Sequence, residues 1–162
     1  MWCVKLYVVR HGPAEETAKS GKDFDRALTT SGRERVRAVA KALGRAGEAP
    51  KVILSSPLVR SLQTAELIAA ELGVEHVETT RDLAPAGDAE ALLRSFVLQK
   101  RKRAMVVGHQ PDLTILVETM TGERFPYDMT KAMVVGLRAE ESGRVKLRFV
   151  LDPKTLEFHY HD

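Results

Sequence analysis

The chain has 162 residues, 44% of them hydrophobic and 29% charged, which is the balance of a folded globular protein and excludes a disordered or fibrous chain. The net charge of +3 is too small to indicate nucleic-acid binding, and no apolar run is long enough to span a bilayer. The single cysteine, Cys3, excludes an internal disulfide and suits the cytoplasm. We therefore expect one cytoplasmic domain over residues 1–162, without a signal peptide.

Short apolar blocks alternate with helical patterns along the chain. The apolar blocks predict strands at 2–9, 51–54, 75–78 and 104–108, and a final hairpin at 131–138 and 144–151. Between them, helices are predicted to begin at the capping box of Ser31, at Ser56-Pro57, at Asp88 and before Leu113. This alternation predicts an α/β fold, a three-layer sandwich whose mainly parallel sheet carries an antiparallel edge hairpin.

Arginine and histidine side chains follow the predicted parallel strands. Arg10 and His11 end the first strand, Arg60 lies in the first turn after the second, and His109 follows the strand at 104–108. Ligands of such sheets bind beyond the carboxyl ends of the strands, so we expect these four residues to meet at one edge.

This set of residues suits phosphoryl transfer. Arginine forks match phosphate oxygens and stay charged, and a neutral imidazole can attack phosphorus to form a covalent intermediate. Because arginines can neutralise the charge on the transferring oxygens, we expect neither a metal nor a cofactor.

At these residues the sequence resembles the histidine phosphatase superfamily, which has the phosphoglycerate-mutase-like fold, and within it the short SixA-type phosphohistidine phosphatases. Four ordered motifs carry the resemblance, at residues 8–15, 25–32, 55–65 and 106–111. The resemblance implies that His11 is the nucleophile and that Arg10, Arg60 and His109 bind the phosphoryl oxygens. It also matches Arg26 to a further pocket arginine, with a loop salt bridge as the alternative, and gives Ser56 and Gly12 a role in shaping the backbone.

One departure from the larger superfamily members concerns the proton donor. Those members carry a glutamate general acid before the third helix, where this chain has only Asp82 and Asp88, and Asp88 is better explained as a helix cap. Imidazole, with a conjugate-acid pKa of about 6.5, leaves with far less help than an alkoxide.

The acid-poor site therefore favours phosphohistidine on a protein as the substrate. Phosphoanhydrides such as nucleotides or polyphosphate, and other small phosphorylated compounds, stay as alternatives, as does a binding module without catalysis. We expect a monomer with no membrane partner and no specific nucleic-acid partner.

Three further features lie outside the four motifs. The basic run 99–103 predicts a solvated connection, or else a patch that steers an acidic partner toward the site. The spacing of His159 and His161 could suit a metal, although a frayed terminus is the simpler expectation. Cys3 lies in the first predicted strand and is expected in the core.

Overall fold

The computed structural model describes residues 1–161, which form a mixed sheet with helices on both faces. The helices are α1 (Thr30–Arg45), α2 (Val59–Leu72), α3 (Ala89–Leu98) and α4 (Asp112–Thr121). The strands are β1 (Cys3–Arg10), β2 (Val52–Ser55), β3 (Val77–Thr79), β4 (Ala104–Gly108), β5 (Val134–Glu140), β6 (Val145–Leu151) and β7 (Phe158–Tyr160). Single turns of 3-10 helix lie at Asp23–Asp25 and Arg81–Leu83.

The seven strands lie in the order β3-β2-β4-β1-β5-β6-β7. Strands β3, β2, β4 and β1 pair in parallel, and β5, β6 and β7 continue the sheet with antiparallel pairs. The predicted α/β class is confirmed, but the antiparallel part is larger than a hairpin. The expected frayed terminus was wrong, because Phe158 and Tyr160 pack on Phe149 with ring centroids 5.2 and 6.3 Å away.

Alternating residues of the central strands build two cores, one on each face of the sheet. Val4, Leu6 and Val8 of β1 point to the face covered by α3 and α4, whereas Tyr7 and Val9 point to α1 and α2. Strand β4 divides in the same way and is buried along its whole length. These two apolar layers fix the strands whose carboxyl ends carry the polar residues.

Helix α1 begins earlier than the sequence predicts, and helix α2 begins later. Thr29, rather than Ser31, caps α1, with its Oγ1 accepting from the Gly32 amide at 2.8 Å. Gly32 is required there because a Cβ would stand 2.1 Å from the Pro13 carbonyl oxygen. Helix α2 begins at Val59, since Ser56 binds the Leu58 amide instead of capping a helix at Pro57.

The remaining boundaries lie close to the predicted ones. Asp88 caps α3 through the Ala91 amide, and the left-handed residues Gly73 and Gly122 end α2 and α4. Cys3 is exposed rather than in the core, because it begins β1 at an end of the sheet. No helix within residues 1–161 has the length and hydropathy that crossing a membrane requires.

A buried polar network ties the sheet to the segment after α1. Glu48, which is 7% exposed, accepts hydrogen bonds from the Tyr7 hydroxyl at 2.9 Å and from both terminal nitrogens of Arg148. Burial acts to raise the pKa of Glu48, but the hydrogen bonds from Arg148 and Tyr7 outweigh it and the pKa lies below its usual value. Glu48 is therefore a paired, buried carboxylate on the face covered by α1 and α2.

Candidate active site

The carboxyl ends of β1, β2 and β4 bring the predicted residues to one edge of the sheet. Strand β4 lies between β2 and β1, so His109 stands between the loop that begins at Ser56 and the loop that begins at His11. The rings of His11 and His109 have centroids 5.3 Å apart. His11, Arg60 and His109 are 7%, 6% and 5% exposed, so their polar groups meet in a nearly dry site.

His11 is held with one ring nitrogen available for chemistry. Its Nδ1 lies 2.8 Å from the Gly12 carbonyl oxygen, and a carbonyl only accepts, so Nδ1 carries the proton and Nε2 the lone pair. Burial lowers the pKa of His11 to about 3, and the nearby charges of Arg60 and Arg10 act in the same direction. His11 is therefore a neutral imidazole near pH 7, which is the nucleophilic form.

The loop after β1 is fixed by contacts with its neighbours. The Gly12 amide donates to Thr64 Oγ1 at 3.0 Å, and Thr64 donates in turn to the Arg60 carbonyl at 2.8 Å. A Cβ on Gly12 would stand 2.6 Å from a methyl group of Val36. The absent side chain thus lets the His11 loop lie directly against α1 and the first turns of α2.

His109 is oriented by two serine hydroxyls. Its Nε2 lies 2.8 Å from Ser56 Oγ and 3.3 Å from Ser61 Oγ. Ser56 Oγ also accepts from the Leu58 amide, so the loop after β2 fixes the hydroxyl that orients the ring. Burial, and then the charge of Arg60, lower the pKa of His109 to about 4, so this ring is also neutral near pH 7.

The two arginines are held by their terminal nitrogens. Arg10 Nη1 donates to the Met129 carbonyl at 3.0 Å, and Arg60 donates to the Asp23 carbonyl at 2.9 Å and to its carboxylate at 3.1 Å. Within residues 1–161, four buried side-chain nitrogens lack a hydrogen-bond partner, and three of them are Arg10 Nε, Arg60 Nε and His109 Nδ1. These belong to the same three residues whose rings or charges act on His11. An oxyanion beside His11 would give these donors the acceptors they lack.

Arg26 forms the loop salt bridge that was one of its two predicted roles. Its Nε donates to the Glu15 carbonyl at 2.7 Å, and its Nη1 to the Asp23 carboxylate at 2.8 Å. Asp23 thereby joins Arg26 to Arg60. Hydrogen bonding from Arg26, and then from Arg60, lowers the pKa of Asp23. The sequence interpretation missed Asp23, although its spacing of three residues from Arg26 was a signal for such a pair.

Residues 129–133, which belong to none of the four motifs, hold the first motif in place. The Arg10 amide donates to the Met133 carbonyl, and the Ala132 amide lies 3.1 Å from the carbonyls of both Arg10 and His11. With the Met129 carbonyl on the Arg10 side chain, this segment holds backbone and side chain together. Backbone contacts of this kind leave no side-chain pattern in the sequence.

A comparison with known protein families finds one that covers most of the chain. Residues 6–125 match the histidine phosphatase superfamily (branch 1). The chain belongs to this superfamily. The resemblance drawn from the four motifs is thus confirmed, and membership identifies the chain as a phosphatase.

Relatives of this histidine phosphatase include proteins of similar length. An uncharacterized protein of Picosynechococcus sp. is 39% identical over 144 residues, covering 84% of this chain and 86% of the relative. The phosphohistidine phosphatase SixA of Escherichia coli is 28% identical over 159 residues, covering 95% and 97%.

Solved structures support the same fold. A protein histidine phosphatase SixA complexed with tungstate superposes with a TM-score of 0.87 at 26% identity, covering 95% of this chain and 100% of that one. A mycobacterial glucosyl-3-phosphoglycerate phosphatase has a TM-score of 0.68 at 18% identity, over 90% and 97% of the two chains, which shows a shared fold.

Asp82 and Asp88, the two carboxylates considered as proton donors, are both exposed. Asp88 is used as the cap of α3, as the sequence favoured. Asp82 lies in the 3-10 turn Arg81–Leu83, where its amide is bound by the Thr80 hydroxyl. The carboxylate found against the predicted arginines is instead that of Asp23.

The basic run lies at the far end of β4 from the site. It precedes Ala104, the first residue of β4, whereas His109 follows the last. Lys100 lies over the Trp2 ring and Arg101 over the Phe96 ring, at 5.3 and 4.9 Å from the centroids. These contacts favour the interpretation of a surface connection over that of a steering patch.

The histidines near the C-terminus pack beside Tyr127. His161 Nε2 lies 2.7 Å from the Tyr127 hydroxyl, and the His159 ring is 6.1 Å from the Tyr127 ring. In the part of the chain that the structure describes, no group of three or more His, Cys, Asp or Glu side chains is placed to hold a metal ion.

Proposed function

We propose that this histidine phosphatase hydrolyses phosphohistidine on proteins through a covalent phosphohistidine intermediate on His11. Arg10, Arg60 and His109 bind the phosphoryl oxygens. The observation that carries the proposal is the set of unpaired nitrogens, Arg10 Nε, Arg60 Nε and His109 Nδ1, on the three residues that act on the neutral ring of His11. The similarity to the Escherichia coli phosphohistidine phosphatase SixA supports the choice of substrate.

In the first step, Nε2 of His11 attacks the phosphorus of the substrate. A bond forms between Nε2 and phosphorus while the bond from phosphorus to the substrate's ring nitrogen breaks. The departing ring keeps that electron pair and, with a proton already on its other nitrogen, leaves as neutral imidazole. The paired Gly12 carbonyl stabilises the positive charge that develops on the His11 ring.

In the second step, water attacks the phosphorus of the phosphorylated His11. A bond forms between the water oxygen and phosphorus while the phosphorus–Nε2 bond breaks. The electron pair of the broken bond returns to Nε2, and dihydrogen phosphate leaves with both protons of the water. In both steps Arg10 Nε, Arg60 Nε and, in the tautomer that carries its proton there, His109 Nδ1 donate to the oxygens on which charge accumulates, in a site only 5–7% exposed to solvent.

The carboxylates near the site explain why a nitrogen–phosphorus bond is the proposed target. Asp23 is the carboxylate in contact with Arg60 and Arg26, and those contacts keep its pKa low and the group ionised. An ionised carboxylate cannot donate the proton that an alkoxide leaving group requires. Imidazole, with its conjugate-acid pKa of about 6.5, departs without that help.

The partner in this proposal is a phosphorylated protein. The single cysteine is compatible with a cytoplasmic site of action.

Rapid-quench mass spectrometry tests the mechanism. After brief mixing with a phosphohistidine protein, we expect an acid-labile phosphate on His11, and none in His11→Gln, whose turnover is lost. Turnover that persists in His11→Gln without an adduct on the parent enzyme would contradict the mechanism. A panel with a phosphohistidine protein, a sugar phosphate, a nucleotide and polyphosphate tests the substrate, with the highest kcat/KM expected for the first.

A further inference from the structure

The carboxylate of Asp23 covers the solvent side of the Arg60 guanidinium. The Asp23 side chain is 63% exposed and that of Arg60 is 8% exposed, so the acid lies outward of the base it contacts. Asp23 accepts one hydrogen bond from each terminal nitrogen of Arg60, and Nε has no partner, so Nε and the second N–H of each terminal nitrogen are open to a phosphoryl group. His11, Arg60 and His109 are each no more than 7% exposed, so a substrate approaches them from the solvent side, where Asp23 lies.

Asp23 also holds the two guanidinium groups that could otherwise bind a second anion. One of its carboxylate oxygens pairs with Arg60 and the other with Arg26, at 3.1 and 2.8 Å. Two arginines that share one carboxylate are spaced to share a phosphate as well, because the two anions offer similar pairs of oxygens. The carboxylate therefore lies where the second phosphate of a phosphoanhydride would bind.

We propose that Asp23 is a specificity-determining residue, whose carboxylate disfavours substrates with a negatively charged leaving group. Phosphoanhydrides such as pyrophosphate and nucleoside diphosphates bring a second phosphate to the outer side of Arg60, where they must displace or approach Asp23. A neutral imidazole leaving group has no such conflict. The inference rests on the proposed function. It assigns to Asp23 the discrimination between phosphohistidine and phosphoanhydrides.

The chain offers a matched control on the same turn. Asp25 lies two residues from Asp23, but its carboxylate accepts from the Ser20 hydroxyl at 2.6 Å. It also lines a separate depression, together with Glu15, Thr17 and Lys19. Asp25→Asn therefore removes the same charge from the same exposed turn without removing the contacts to Arg26 and Arg60.

The decisive kinetic experiment compares two substrates in three variants. The ratio of kcat/KM for pyrophosphate to kcat/KM for N-phosphorylated imidazole is measured in the parent enzyme, Asp23→Asn and Asp25→Asn. We expect the ratio to rise about tenfold in Asp23→Asn, the effect of removing one like charge a few ångströms from the leaving group. In Asp25→Asn we expect a change of less than about twofold.

A binding experiment separates this inference from the proposed function. Inhibition by inorganic pyrophosphate and by inorganic phosphate needs no assumption about the substrate. Asp23→Asn should tighten pyrophosphate binding about tenfold more than phosphate binding, and Asp23→Glu, which keeps the charge, should restore the parent's preference. Equal changes for both anions would overturn the inference and reduce Asp23 to a residue that positions Arg60. Failure of the proposed function would give a different result. The parent enzyme and the variants at position 23 would then all have a higher kcat/KM for pyrophosphate than for N-phosphorylated imidazole.

Discussion

Ser56 Oγ lies 2.8 Å from Nε2 of His109, and this contact fixes the orientation of the ring. Ser56 Oγ also accepts from the Leu58 amide, and the other ring nitrogen of His109, Nδ1, is buried without a partner. The sequence interpretation gave Ser56 a role in the backbone, and the structure adds this contact with the ring.

Ser56→Ala should lower kcat/KM about tenfold and weaken the binding of tungstate by a similar factor. The reason is the loss of one hydrogen bond to a buried ring. Kinetics and tungstate titration measure the two effects. Ser61→Ala is the matched control, because its oxygen lies at the longer distance of 3.3 Å from the same nitrogen, and a smaller loss is expected. Equal losses in both variants would argue against a special role for Ser56.

The two site histidines should make the folded state sensitive to mild acid. Burial lowers the pKa of His11 to about 3 and that of His109 to about 4, below the ordinary value. As the pH falls below about 6.5, both histidines become protonated in the unfolded chain but stay neutral in the folded chain. The free energy of unfolding therefore decreases. Between pH 7 and 5 this amounts to roughly 1–2 kcal/mol for each histidine.

Urea denaturation at pH 7 and pH 5 measures this effect. His11→Gln should lose less stability than the parent between the two pH values. His76→Gln, which removes an exposed imidazole, serves as the control and should follow the parent. A parent protein equally stable at both pH values would contradict the low pKa values.

Glu48→Gln should destabilise the fold by about 2–3 kcal/mol, because it leaves the Arg148 guanidinium partly buried and without its paired charge. Tyr7→Phe removes a single hydrogen bond to the same carboxylate and should lose about 1 kcal/mol. Urea denaturation at pH 7 measures both variants. The catalytic rate should stay near that of the parent while each variant is folded, and a loss for Glu48→Gln no larger than for Tyr7→Phe would disprove the network.

Lys102→Ala and Arg101→Ala should leave kcat/KM within about twofold of the parent at ordinary salt. The five residues of β4 separate the basic run from His109 by about 16 Å, beyond the screening length of roughly 8–10 Å. Steady-state kinetics at two salt concentrations make the comparison. A marked loss for either variant at low salt would revive the steering role.

Strands β1 to β6 and the placement of the site residues at the strand ends could be predicted because they depend on local patterns, whereas β7 was not predicted. Strand β4 was predicted with its observed bounds, since its run of apolar residues is buried on both faces. His109 and Arg60 follow from the rule that ligands bind at the carboxyl ends of strands, and the structure brings both beside His11.

The features that the sequence did not reveal depend on contacts across long separations. Thr29 caps α1 because Gly32 must lie against Pro13, which no capping pattern shows. Ser56 meets His109 across 53 residues, and Glu48 meets Arg148 across 100. Asp23 joins Arg26 to Arg60 only once the loop is folded onto α2.

The backbone of residues 129–133 has a consequence for where this enzyme can be shortened. The family match ends at residue 125, yet Met129, Ala132 and Met133 hold Arg10 and His11 in place. A chain truncated at residue 125 would keep the four motifs and lose the backbone that braces His11. The proposed catalytic unit therefore extends beyond these motifs into the antiparallel half of the sheet.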